Sequence, residues 1–241
     1  MRRLLHAVLY LGAIILAVIA YRSFRPASVS HGPAAVSGAV DVYYLEGATH
    51  AQAKAVADAY AKQAKGERAS LQIKKNVGQY QLRFVIRKEF HNDESSQRSL
   101  EIFAARCSRD CFNSVPVEVH VCDEHFRTVN VLPPRGDLRF GVVNAPIEVF
   151  FGDKMDQASA ELLAKHFADL KVENAMTLKL AKREEVFEVY LVIQVGKLND
   201  PGILEGFRTE QKLIAERVFN GEPVELHLCD PQLRVVRVIE P

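Results

Sequence analysis

The sequence has little net charge of either sign, since 31 lysine and arginine residues almost cancel 30 aspartate and glutamate residues. Proteins that hold DNA or RNA by its phosphates need a strongly basic surface, so nucleic acid is not an expected partner. Cysteine is also scarce, at four residues in 241, which excludes a disulfide-dense miniprotein. The composition of 48% hydrophobic and 25% charged residues excludes a disordered chain and is typical of a globular protein.

Familiar catalytic motifs are lacking as well. The sequence contains no CxxC or HExxH metal motif, no glycine-rich phosphate loop and no Ser-His-Asp order in matching loops. These absences weaken an enzyme interpretation without excluding it. No catalytic residue and no cofactor is therefore assigned.

A long apolar run stands near the N-terminus. It extends from Leu4 to Tyr21, is interrupted only by His6, and has two arginines on each side. As a helix it would span roughly 27 Å, close to the thickness of a bilayer's hydrocarbon core. We expect a single-pass anchor with the soluble part on the extracytoplasmic side, so that the membrane is a partner through this helix. The alternatives are a signal peptide cleaved after Ala20, followed by secretion, and a buried core helix.

An internal repeat accounts for most of the remaining chain. Residues 40–134 align with residues 147–241 at a constant offset of 107 without a gap, giving about 23 identical pairs. The sequence therefore predicts a tandem duplication. We divide the chain into an anchor or signal segment (1–25), a flexible linker (26–39), a first α+β repeat (40–134) and a second (147–241).

Each repeat shows the same succession of hydrophobic patterns. A short strand precedes a helix that starts with a Thr49/Gln52 capping box in one copy and at Asp156 in the other. Two alternating strands, a second helix and a final hairpin follow, with Asx caps at Asp93 and Asp200. The order β-α-β-β-α-β-β predicts two ferredoxin-like units, each with an extra strand, after an N-terminal transmembrane helix.

The strand most similar between the copies carries the candidate site. Glu118, His120 and Cys122 alternate with valines, and the same three residue types recur at 225, 227 and 229. We expect the valines to face the helices and the polar residues to lie on the open face of each sheet. If the two open faces meet, His120, Cys122, His227 and Cys229 have the composition of a Cys₂His₂ zinc site.

Interpretations of these residues without a metal site remain open. A shared hairpin capped by Asp123 and Asp230 explains the similarity without a metal, and a disulfide between Cys122 and Cys229 is a further alternative. Cys107 and Cys111 lie four apart on an apolar helix stripe where the second copy has isoleucine and valine, which indicates packing rather than redox chemistry.

The polar sheet faces offer the remaining functional surface. They carry residues such as Gln72 and Arg83 in the first copy and Glu188 and Tyr190 in the second. We therefore expect a membrane-anchored binding or scaffolding protein that holds a protein or small-ligand partner on these faces. The alternative is a metal-dependent or other enzyme that uses a cleft between the repeats. Since only about a dozen residues connect the repeats, we expect a pseudo-twofold pair with open faces together and helices outward.

Overall fold

The computed structural model describes residues 31–64, 66–172, 174–193, 196 and 200–241. The predicted membrane segment, Leu4–Tyr21, lies outside these residues. No helix within them is long and apolar enough to cross a bilayer. The transmembrane helix in the fold prediction is therefore not supported, while the extracytoplasmic or secreted location stays a prediction.

Two repeats of similar structure follow each other, each in the order β-β-α-β-β-α-β-β. The first contains β1 (Ala34–Ser37), β2 (Val40–Tyr44), α1 (His50–Ala64), β3 (Ala69–Asn76), β4 (Gln79–Val85), α2 (Glu94–Cys111), β5 (Val117–Cys122) and β6 (Thr128–Leu132). The second contains β7 (Phe140–Asn144), β8 (Ile147–Phe151), α3 (Gln157–Asp169), β9 (Met176–Arg183), β10 (Val186–Val192), α4 (Pro201–Val218), β11 (Val224–Cys229) and β12 (Val235–Ile239). Counterparts such as β3 and β9, or α2 and α4, begin at the predicted offset, which confirms the duplication.

Each repeat forms a six-stranded mixed sheet whose strands lie in chain order. The helices α1 and α2 each connect two neighbouring parallel strands, β2 to β3 and β4 to β5, and the hairpins are antiparallel. A ferredoxin-like unit would place another strand between the two strands that a helix connects. The ferredoxin-like prediction is therefore wrong, whereas the α+β class and the order of the seven predicted elements are confirmed.

Each sheet also begins with a strand that the sequence pattern does not predict. β1 lies within residues 26–39, the predicted linker, and β7 lies in the connection between the repeats. The sequence of β1, Ala-Ala-Val-Ser, has weak strand propensity, and the strand is held by antiparallel pairing with β2. Such an edge strand depends on its partner, so periodicity alone does not reveal it.

Side-chain caps set the starts of the helices. The carboxylates of Asp93, Asp156 and Asp200 each accept a hydrogen bond from a backbone N–H in the first turn of α2, α3 and α4. Before α1, the Gln52 N–H donates to Thr49 Oγ1 and the Thr49 N–H donates to Gln52 Oε1. The predicted caps are confirmed.

The helices cover one face of their own sheet and leave the other face open. Val117, Val119 and Val121 lie in the first core with residues of α1 and α2, as predicted. The alternate residues of the strands form what we call the first open face: Asp41, Tyr43, Ser70, Gln72, Gln81, Arg83, Glu118 and His120. Their counterparts form the second open face: Glu148, Phe150, Thr177, Lys179, Glu188, Tyr190, Glu225 and His227.

The repeats pack head to tail, with α2 of the first repeat against the second open face. Ile102 of α2, only 6% exposed, lies in a cluster with Leu138, Phe150 and Leu233. On the same helix, Phe103 faces the first core. Helix α2 therefore lies between the two sheets. This differs from the predicted pair, in which the open faces met and the helices pointed outward.

Candidate functional site

Three rings form an aromatic group on the first open face. The ring centroid of His31 lies 5.2 Å from that of Tyr43 and 5.2 Å from that of Phe126, both edge to face, and the Tyr43 and Phe126 centroids are 5.9 Å apart. At the offset of 107, their counterparts are Leu138, Phe150 and Leu233, the three residues that receive Ile102. On the first repeat, three aromatic rings thus occupy the position that contacts helix α2 on the second repeat.

A tight turn places Phe126 on that face. Phe126 has φ of 57° and its counterpart Leu233 has φ of 58°, a left-handed conformation that is unfavourable for such residues. The Asp123 carboxylate holds the turn by accepting the N–H groups of His125 and Arg127. The carboxylate of Asp230 does the same in the second copy, so the predicted turn role of both aspartates is confirmed.

An arginine pair forms the polar half of the contact between the repeats. Arg106 Nη2 lies 2.9 Å from Glu148 Oε1, and Arg109 Nη2 lies 3.1 Å from Glu148 Oε2. Both arginines belong to α2, and the Arg109 guanidinium also lies 5.4 Å from the centre of the Phe150 ring. The counterpart of Glu148 on the first open face is Asp41, whose partner Arg68 is 4.0 Å away and 85% exposed. Asp41 is therefore a carboxylate with only a loosely held partner.

The connection between the repeats is held by an ion pair that makes it sensitive to acid. Burial alone would raise the pKa of Asp137, but the Arg135 hydrogen bond and the Lys179 ammonium outweigh it and hold that pKa below its usual value. A carboxyl group whose pKa is lower in the folded than in the unfolded state stabilises the fold at pH values above the unfolded-state pKa, about 4. This stabilisation is lost as the pH falls through the folded-state pKa. We expect the urea midpoint of Asp137→Asn to fall less steeply than that of the unchanged chain as the pH is lowered below about 4. An unchanged acid slope would contradict this role.

The predicted glutamate and histidine pairs are present on both open faces, but their surroundings differ. His120 Nε2 lies 2.6 Å from Glu118 Oε1, and its Nδ1 lies 3.1 Å from Thr128 Oγ1, so both ring nitrogens have partners. His227 Nε2 lies 3.1 Å from Glu225 Oε2, but its Nδ1 is buried without a hydrogen-bond partner in the described structure. The reason is that the counterpart of Thr128 is Val235, which has no hydroxyl.

A second carboxylate joins this pair in the second repeat only. Ligand atoms of Glu188, Glu225 and His227 all lie within 4.8 Å of one another. The counterpart of Glu188 is Gln81, whose Nε2 donates to Glu118 Oε1 at 3.0 Å. The sequence pattern predicts Glu188 on the open face but not in a site. The exchange of Gln81 for Glu188 between the copies was the signal that could have found it.

The structure does not bring the predicted cysteines and histidines together. His120 and Cys122 belong to the first sheet, His227 and Cys229 belong to the second, and α2 lies between the sheets. All four cysteines are free, so the alternative disulfide between Cys122 and Cys229 is not formed. Burial raises the pKa of Cys229 to about 12, which keeps it a thiol at neutral pH. Cys107 is 1% exposed in the first core, consistent with packing.

Comparison with known proteins adds a resemblance over the first repeat. A family model described as AF_1994_N, family N-terminal domain, matches residues 34–131. That range starts at β1 and ends in β6, so it coincides with the first repeat as the structure shows it. No curated protein and no solved structure matches the chain.

Proposed function

We propose that this chain is a protein-binding module whose first open face receives an amphipathic helix of a partner protein. The observation that carries the proposal is that the second open face already binds a helix, α2, through the counterparts of the same residues. Among the described residues, no helix of the second repeat covers the first open face. One copy of the duplicated surface holds the repeats together, and the other is available to a partner.

The contacts of α2 define the chemistry of the partner helix. Ile102 enters the apolar cluster, and Arg106 and Arg109, four and seven positions later, reach one carboxylate. These positions share one face of a helix. A helix with an apolar residue followed by arginines at this spacing would place the apolar side chain on Tyr43 and Phe126 and its guanidinium groups near Asp41.

A second copy of this chain is a poor occupant of the first open face. The residues of α4 that correspond to Ile102, Arg106 and Arg109 are Thr209, Leu213 and Glu216. Helix α4 therefore lacks the apolar anchor and would bring a carboxylate towards Asp41. The head-to-tail contact is heterologous and would otherwise continue from chain to chain. These differences favour a distinct partner protein over a filament.

The alternative of an enzyme in a cleft between the repeats has less support. The sheets are separated by α2, whose side chains contact both the first core and the second open face. The two open faces therefore do not form a cleft together, and the space that remains between the repeats lies beside α2, lined by residues such as Arg106, Pro146 and Thr177.

A peptide with the sequence of helix α2 can serve as a probe for the first open face. A labelled peptide of residues 94–111, with serine at both cysteine positions, should bind the full chain in the micromolar range, measured by fluorescence anisotropy. Asp41→Lys should weaken binding at least tenfold, about 1.4 kcal/mol, because it places a like charge opposite the peptide arginines. The matched control is Glu205→Lys, the same charge change at an exposed site on α4, which should leave binding unchanged.

Two further measurements make this test decisive. A peptide of residues 201–218, the α4 counterpart, should not bind, because it lacks the isoleucine and the arginines. Failure of the 94–111 peptide to bind, or equal binding to Asp41→Lys, would refute the proposal. Binding only after removal of residues 1–30 would assign the first open face to the chain's own N-terminal segment and refute it as well.

A further inference from the structure

We propose a divalent metal site on the second open face, formed by the carboxylates of Glu188 and Glu225 and a ring nitrogen of His227. Their ligand atoms lie within 4.8 Å of one another, close enough to share one ion. Two oxygens and one imidazole nitrogen suit a borderline transition ion such as Zn²⁺, with water in the remaining position. The site is independent of the proposed helix-binding face, which belongs to the other sheet.

The two carboxylates are held side by side where water is largely excluded. Glu188 and Glu225 are register partners on the neighbouring parallel strands β10 and β11. Glu188 is 9% exposed, and adjacent carboxylates at such a position repel one another unless a cation lies between them. A cation between the two carboxylates therefore stabilises them, beside the Tyr190 hydroxyl that donates to Glu188 Oε2.

Arg183 is the cation that the protein itself provides. Its Nε lies 3.0 Å from Glu188 Oε1 and its Nη2 lies 2.9 Å from Glu225 Oε2. The Arg183 side chain is 64% exposed, so it can swing into water at little cost, because exposed ion pairs contribute little stability. Arg183 can thus close the site in the absence of metal and leave it when a metal ion binds.

The imidazole of His227 provides the third ligand, and its Nε2, 3.1 Å from Glu225 Oε2, is the nitrogen that contacts the carboxylates. His227 is 8% exposed, and its Nδ1 has no hydrogen-bond partner in the described structure. Val235 stands where the first repeat has Thr128, so no hydroxyl fixes the tautomer of the His227 ring. His120, its counterpart, has partners at both nitrogens, so it needs no further ligand.

The first repeat provides a natural control within the same chain. It has the same glutamate and histidine, Glu118 and His120, but Gln81 takes the place of Glu188 and Asn76 takes the place of Arg183. The metal site should therefore exist in the second repeat only. Glu188→Gln gives the second repeat the ligand set of the first.

The experiment titrates the full chain with Zn²⁺ by calorimetry and with Co²⁺ by visible absorption. We expect one ion per chain, with micromolar affinity and a Co²⁺ spectrum that lacks a thiolate charge-transfer band. Glu188→Gln should weaken binding at least tenfold, whereas Glu118→Gln, the same chemical change at the first-repeat counterpart of Glu225, should leave it unchanged. Arg183→Ala should strengthen binding several-fold, because it removes the competing cation while keeping all three ligands.

Several results would overturn the site. These are the absence of binding up to millimolar Zn²⁺, equal binding by the unchanged chain and Glu188→Gln, or a thiolate band with Co²⁺. Arg183→Ala also covers the case in which Glu188→Gln does not fold. If Zn²⁺ binds Arg183→Ala no more tightly than the unchanged chain, the cation at this position is structural and the proposal is wrong.

Discussion

Replacing Phe150 with alanine should lower the free energy of unfolding by about 3–5 kcal/mol. The Phe150 ring is fully buried, with 0% exposure, between Ile102 of the first repeat and Leu138 and Leu233 of the second. Its removal leaves a cavity where the repeats meet, so it destabilises their contact as well as the second repeat. Urea denaturation followed by circular dichroism measures the loss, and a second transition would report separation of the repeats.

The counterpart on the first open face provides the matched control. Tyr43 occupies the same position in its repeat but keeps part of its surface exposed, since no described helix of the second repeat lies on it. Tyr43→Ala should cost no more than about 1 kcal/mol, as expected for a partly exposed side chain. Similar losses for Tyr43→Ala and Phe150→Ala would contradict the head-to-tail arrangement.

Glu148→Ala should cost about 2–4 kcal/mol, because it leaves two arginines without their shared carboxylate. Arg109 is 13% exposed and would keep its ion pair with Asp110, but contact with water cannot fully replace the lost Glu148 carboxylate. Arg106 is 29% exposed and should recover more, so the pair is expected to contribute unequally. A double-mutant cycle between Glu148 and each arginine, measured by chemical denaturation, separates the two contributions.

Asp41→Ala is the corresponding control in the first repeat. Its pairing with an exposed arginine at 4.0 Å predicts a change within about 0.5 kcal/mol. If Asp41→Ala costs as much as Glu148→Ala, then Asp41 has a partner that the described residues do not provide. A loss below about 1 kcal/mol for Glu148→Ala would show that the arginine pair contributes little to the contact between the repeats.

Because of the duplication, the proposed binding surface and the contact between the repeats have the same arrangement of residues. The head-to-tail contact uses α2 and the second open face, and within the described residues α4 and the first open face do not form the corresponding contact. Helix α4 has none of the three residues by which α2 makes its contact, whereas the first open face has three rings and a carboxylate. This asymmetry directs the proposed interaction to one end of the molecule.

The sequence by itself determined the duplication, the order of seven elements in each repeat, the helix caps and the face of each strand that enters the core. These features depend on neighbours along the chain. A cap such as Asp93 bonds to a backbone N–H three residues later, and the alternation in Val117, Val119 and Val121 follows from strand geometry. Each of these features occurs in both copies of the repeat.

Only the tertiary structure decided which strands are neighbours, that β1 and β7 exist, and that α2 packs on the second open face. A helix between two strands is compatible with both a neighbouring and a split arrangement, so periodicity cannot distinguish the two. The contact of Ile102 with Phe150, and the approach of Glu188 to His227, depend on residues distant along the chain. Such contacts are set by the packing of whole faces, which leaves no local pattern in the sequence.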